Sequence, residues 1–143
     1  MNYGQARAYA VNVSRSGSIL GLDSIENLMH ELGDIQERLK IIHIAGTNGK
    51  GSTGAYLERV LIEAGYRVGR YSSPAVFDPM EVWRINLQSM SHEEYADIME
   101  QVKCACDRMV EKGMEHPTIF EVETAMALSL IHISEPTRLA LIS

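Results

Sequence analysis

The spacing of apolar positions changes several times along the chain, and each change marks an element. Residues Tyr3 to Val13 suit a helix, and Ser14-Arg-Ser-Gly17 reads as a loop. Leu22, Ile25, Leu28, Met29 and Leu32 then recur at helical spacing before Gly33, so residues 1–39 form a helical preface. The run Lys40-Ile-Ile-His-Ile-Ala45 is short, apolar and β-branched, as expected of a strand buried on both faces of a parallel sheet. After a glycine-rich turn, Tyr56, Leu57, Val60, Leu61 and Ala64 predict a helix that ends at Gly65. Tyr66 to Tyr71 reads as a second strand, closing a strand–loop–helix–strand unit over residues 40–71. Ser72 to Met80 is a loop and Val82 to Leu87 another extended piece. Ser91-His-Glu-Glu94 has the form of a capping box, and Tyr95, Ile98, Val102 and Met109 predict a long amphipathic helix up to Gly113. Pro117 marks a turn, and a further helix is expected from Thr118 to about Leu128. Strands alternating with helices predict an α/β fold, a mostly parallel sheet with flanking helices.

Composition narrows the class. A chain of 143 residues with 45% hydrophobic and 22% charged positions fits one globular domain of ordinary size. A net charge of −6 leaves no basic stripe for phosphate backbones, so no nucleic-acid partner is expected. No apolar run approaches the roughly 18 to 20 residues that cross a bilayer, so no membrane partner is expected. The first residues lack the apolar core of a signal peptide, and a cytoplasmic protein is expected. Cys104 and Cys106, two apart in a predicted helix, point to different sides, and the five histidines are scattered, so no zinc site is read here.

The chemistry concentrates in Gly46-Thr-Asn-Gly-Lys-Gly-Ser52, set between a predicted strand and the start of a helix. Glycines at 46, 49 and 51 permit a tight turn with inward-facing N–H groups, and the helix start adds positive potential for a phosphate. Gly46, Thr47, Asn48, Gly49, Lys50, Gly51 and Ser52 are the candidate cofactor-binding residues, with Lys50 reaching the terminal phosphates as the candidate catalytic residue. Ser52 takes the place where a P-loop hydroxyl meets magnesium, so ATP with Mg²⁺ is the expected ligand. The strict G-x-x-x-x-G-K-[ST] pattern is not met. Ile44 stands at its first glycine, and Gly51 separates Lys50 from Ser52.

This variant loop resembles that of the Mur ligase superfamily, which joins amino acids to carboxylates. Within it the chain resembles folylpolyglutamate synthase / dihydrofolate synthase. His43 to Ser52, Gly65-Tyr-Arg-Val-Gly69, Tyr71-Ser-Ser-Pro74 and Phe120-Glu121 with Thr124-Ala125 stand at that family's separations. The resemblance implies an incomplete Mur-ligase-type ATPase domain over residues 1–127. It also implies an ATP-dependent addition of L-glutamate to folate, or to dihydropteroate, through an acyl phosphate, by an enzyme monomeric at full length. It implies Ser73 as a second magnesium ligand beside Ser52, and Thr118, Ile119, Phe120 and Glu121 as substrate-binding residues. Two departures stand out: Ala75 follows Pro74 where many members carry histidine, and Glu81-Val-Trp83 replaces Glu-Arg-Ile. The alternatives are another P-loop ATPase or kinase, and a free-standing nucleotide-binding module.

The resemblance stops near Ala127. Leu128 to Arg138 resembles, residue for residue, the translation of a transposase adapter used in preparing sequencing libraries, and Pro136 breaks the preceding helical pattern. Residues 128–143 are therefore read as a non-native tail, with no chemistry assigned to His132 or Glu135. The family's later magnesium ligands and carboxy-terminal domain would lie beyond this point, and the chain as written is expected to be inactive.

Overall fold

The computed structural model describes residues 1–18, 20–134 and 138–143; Glu135 and Pro136, named above, lie outside the described residues. Its elements in chain order are α1 (Tyr3–Ser14), α2 (Asp23–Glu31), β1 (Lys40–His43), α3 (Lys50–Glu63), β2 (Arg67–Tyr71), β3 (Trp83–Ile85), β4 (Gln88–Ser89), α4 (His92–Glu111), α5 (Ile119–Ile133) and β5 (Arg138–Ile142). They divide into a helical unit, residues 1–37 with 92–126, and a sheet unit, residues 38–91 with 127–143.

In the helical unit α1 and α2 pack against α4. A reciprocal cap starts α1: the Gln5 N–H donates to Asn2 Oδ1 and the Asn2 N–H to Gln5 Oε1, both at 2.9 Å. Tyr95, Ile98, Val102 and Met109 are buried, as their spacing requires, together with Ala6, Ala10, Leu28 and Met29. Cys106 is buried and Cys104 exposed; both are free thiols.

The sheet unit has strand order β1-β5-β2-β3-β4. β5 pairs in parallel with β1 and β2, and β3 and β4 add an antiparallel hairpin beside β2. Side chains alternate across the sheet. Val68, Leu139 and Leu141 form one face, against which Leu57, Leu61 and Ile62 of α3 pack. On the other face Gly69 opens space for Ile131 of α5: a Cβ at residue 69 would lie 2.2 Å from Ile131 Cγ1.

Three expectations need correction. β1 is an edge strand buried on one face and not on both: Ile42 packs against the cluster of Val68, Leu139 and Leu141, whereas Ile41 and His43, which alternate to the other face, are exposed. Tyr56 and Val60 are exposed; α3 turns Gly54, Leu57, Glu58 and Leu61 toward the sheet, and positions 56 and 60 lie off that stripe. The extended piece Val82 to Leu87 is broken by a tight turn at Asn86 and Leu87, both at positive φ, whose Asn86 exchanges hydrogen bonds with Val68. Within the segment from residue 128 onward, residues 128–133 complete α5 and Arg138–Ile142 supply the central strand β5, where Leu139, Ala140 and Leu141 are buried. Among the described residues no helix is long and apolar enough to cross a membrane.

The loop after β2 is held by its own turn of helix at Pro79–Val82. Asp78 caps it through the Met80 N–H at 2.8 Å. Glu81 accepts from the N–H groups of Val76 and Phe77, which hold its carboxyl below the ordinary glutamate value.

Leu87 occupies left-handed backbone at φ +70, where a side chain with a Cβ is strained and glycine is not. Leu87→Gly is expected to raise thermal stability by about 0.5 to 1 kcal/mol, after allowing for the added freedom of the unfolded chain. Gly69→Ala is expected to cost about 1 to 3 kcal/mol, since Ile131 must move. Denaturant unfolding of the two variants checks both signs, and equal midpoints would refute the strain and the close approach. Because the Glu81 carboxyl is lowered in the folded loop, its stabilisation is complete above the unfolded value near 4.5 and is lost as pH falls through the lower folded value. The Val76 and Phe77 amide resonances should therefore shift together in acid before global unfolding, and constant shifts there would disprove the tether.

Candidate functional site

β1 ends at His43, the chain turns through residues 44–49, and α3 begins at Lys50. Gly49 is the N-cap residue, at φ +77, a conformation that glycine adopts without strain. It has no side chain to cap the helix, so the first-turn N–H groups have no acceptor within α3 and lie at its positive end. Lys50 Nζ donates to the Gly46 carbonyl at 2.5 Å, which folds the cation back over the loop. Uncapped amides and one ammonium group around a concave turn suit an anion such as a phosphate.

The loop forms one wall of an open cleft of about 550 Å³. Thr47 to Gly51 line it from one side, and Ser72, Ser73 and Pro74, which follow β2, line it from another. Ser73 and Lys50 thus line the same cleft. Gly46 and Ser52 lie outside this lining, with both residues exposed. Thr118 to Glu121 belong to the helical unit, at the start of α5. There the Thr118 N–H donates to Glu121 Oε2 at 2.8 Å, so this carboxylate closes the first turn of the helix. Thr118 and Glu121 are buried, Ile119 is half-buried, and Phe120 is 63% exposed. Among the described residues no group of three or more His, Cys, Asp or Glu side chains could hold a metal ion. Ser72 and Ser73 present hydroxyls at the cleft and Glu81 a carboxylate, hard oxygen groups of the kind that suit a magnesium ion carried by phosphate oxygens.

Two further residues bordering the cleft, Arg70 and Arg84, were not anticipated. They are cross-strand partners on β2 and β3, with Glu58 of α3 between them. Glu58 Oε2 accepts from Arg70 Nη1 and from Arg84 Nη2, each at 3.0 Å. Arg70 Nη2 also donates to the Gly51 carbonyl at 3.0 Å, tying β2 to the phosphate-binding loop. Glu58 is fully buried and Arg70 is 5% exposed. A trace was present in the sequence: Gly51, Gly54 and Glu58 repeat at helical spacing and form a small-and-acidic stripe, which a search for apolar stripes passes over. Val76 and Phe77, both exposed, and Glu81 complete much of the remaining lining.

No established protein-family profile matches the chain. It is 35% identical over 125 residues to a dihydrofolate synthase/folylpolyglutamate synthase of Bacillus subtilis, a match that takes in 87% of this chain and 29% of that protein. Its fold matches the crystal structure of a folylpolyglutamate synthase from Thermotoga maritima with a TM-score of 0.88 at 31% identity, over 98% of this chain and 32% of that one. A bifunctional folylpolyglutamate synthase/dihydrofolate synthase solved with Mn, AMPPNP and L-glutamate bound matches with a TM-score of 0.82 at 32% identity, over 96% and 32%. The chain thus spans about a third of the length of the proteins it matches. A glycine-rich loop ahead of α3, the Tyr71-Ser-Ser-Pro74 segment beside it and sequence likeness along most of the chain agree, and over the part it spans this chain is similar to the folylpolyglutamate/dihydrofolate synthases.

Proposed function

We propose that the protein to which this chain belongs is an ATP-dependent ligase that adds L-glutamate to a folate, with dihydropteroate as the substrate of a second, dihydrofolate synthase activity. The observation that carries the reading is the cleft that joins the uncapped start of α3, Lys50 and Ser73. In this reading a folate carboxylate oxygen takes the terminal phosphoryl group of ATP and ADP leaves. The glutamate amine then forms the amide bond at the carbonyl carbon, the bond to phosphate breaks, and the amine loses a proton. A bound magnesium ion would neutralise phosphate charge. The α3 amides and Lys50 would stabilise charge on the transferred group, an electrostatic task that needs no protein nucleophile.

Ser73 and Ser52 are proposed as hydroxyl ligands to the magnesium ion. Thr118 to Glu121 are proposed to line the pterin pocket, where Phe120 offers an exposed ring and Glu121 shapes the helix start. The reading carries with it a cytoplasmic protein, monomeric at full length. Residues 128–143 are proposed to be adapter read-through, on the strength of the Leu128 to Arg138 resemblance, so that reading the genomic DNA past Ala127 would replace them with further ligase sequence.

The 143-residue chain is expected to show no ligase turnover, since orientation of both substrates supplies roughly 7 to 11 kcal/mol of barrier reduction and much of the relatives' length is not in it. The full-length protein should release phosphate from ATP only with both a folate and glutamate present, and Lys50→Ala should remove most of that turnover. Normal turnover by full-length Lys50→Ala would refute the role of the loop, and turnover by the 143-residue chain would refute the incompleteness of the site.

A further inference from the structure

We propose that Glu58 is the positioning residue of the phosphate-binding loop, acting through Arg70 on the Gly51 carbonyl and holding Arg84 at the cleft. The inference rests on the reading of this cleft as a nucleotide site and names how its geometry is set. Arg70 and Arg84 stand directly opposite on neighbouring antiparallel strands, a like-charge pairing that is unfavourable by itself. Glu58 Oε2 takes one hydrogen bond from each, while Glu58 Oε1 and both arginine Nε atoms have no partner among the described residues. Glu58 and Arg70 are thus buried, and Arg84 half-buried, with incomplete pairing, where apolar side chains would pack at less cost. Packing gives no reason for them, whereas the second bond of Arg70 does.

That bond runs from Arg70 Nη2 to the carbonyl of Gly51, the residue after Lys50. Arg70 reaches it by lying against the bare backbone of Gly54, where a Cβ would sit 2.9 Å from Nη2 and 3.1 Å from Cζ. The loop that presents Lys50 is therefore held from below by a side chain whose own direction is set by Glu58. Two cations share the one anion of Glu58, and the half-buried Arg84 reaches the cleft lining, where Glu81 also stands. Glu58 itself is not in that lining and would act only through the two arginines.

The test uses the 143-residue chain, with MgATP as the probe in calorimetry and ¹⁵N relaxation of residues 46–52 measured without nucleotide. Glu58→Gln and Arg70→Met should each weaken MgATP binding by about tenfold, and the double variant should be little worse than either, because both cut the same chain of contacts. Order parameters of the loop should fall in both variants, while those of the later turns of α3 hold. Gly54→Ala serves as the fold-preserving variant: alanine favours the helix, yet its methyl displaces Arg70, so loop order and affinity should fall without loss of helix. An unchanged loop in folded Glu58→Gln or Gly54→Ala chain overturns the proposal, as do strictly additive losses in the double variant. If the unaltered chain and Lys50→Ala bind MgATP equally, the nucleotide reading fails instead, and the loop order parameters still decide the positioning role.

Discussion

A single buried carboxylate lets two arginines face each other across the β2–β3 ladder. With Glu58 between Arg70 and Arg84, the like charges become a linked set that joins three elements: α3 through Glu58, β2 through Arg70 and β3 through Arg84. Removal of Glu58 would leave the buried Arg70 guanidinium and the half-buried Arg84 without this anion, a heavier burden than the loss of any one surface pair. The phosphate-binding loop depends on the same set, because Arg70 donates to its backbone. A feature of the interior thus decides where Lys50 and the first amides of α3 can stand.

Small residues make that arrangement possible. Gly54 lets a guanidinium lie against α3, and Gly69 lets Ile131 approach β2 from the opposite face. The parallel strands β1, β5 and β2 then end at one edge, and the chain leaving β1 becomes the glycine-rich loop while the chain leaving β2 becomes the serine segment at residues 72–74. Ligands of open α/β sheets sit outside the carboxyl ends of such strands, because there the loops and helix starts converge. Ser143, at the end of β5, donates to the Tyr71 carbonyl at 3.0 Å and completes that edge.

The central strand shows how little a parallel sheet asks of the sequence that fills it. Leu139, Ala140, Leu141 and Ile142 are apolar without alternation, which suits a strand flanked by partners on both edges and covered on its faces. Ala140 opposite Gly69 keeps the register compact. Hydrophobicity and length suffice for this position whatever the origin of residues 128–143.

What the sequence determined by itself was local and periodic. The α4 stripe of Tyr95, Ile98, Val102 and Met109, the start of α3 after the glycine-rich turn and the strand ending at Tyr71 follow from apolar spacing and from glycine positions, which depend on near neighbours. The phosphate-binding character of Gly46 to Ser52 was legible for the same reason: its chemistry lies in backbone amides whose turn the glycines themselves dictate. Only the tertiary structure decided that β1 is an edge, that Tyr56 and Val60 face outward, and that Glu58, Arg70 and Arg84 meet inside. Their positions are 12 and 26 residues apart from Glu58 along the chain, and no local period links charges that a strand crossing brings together. A charged side chain reads as a solvated surface until the sheet order places its counter-charge beside it.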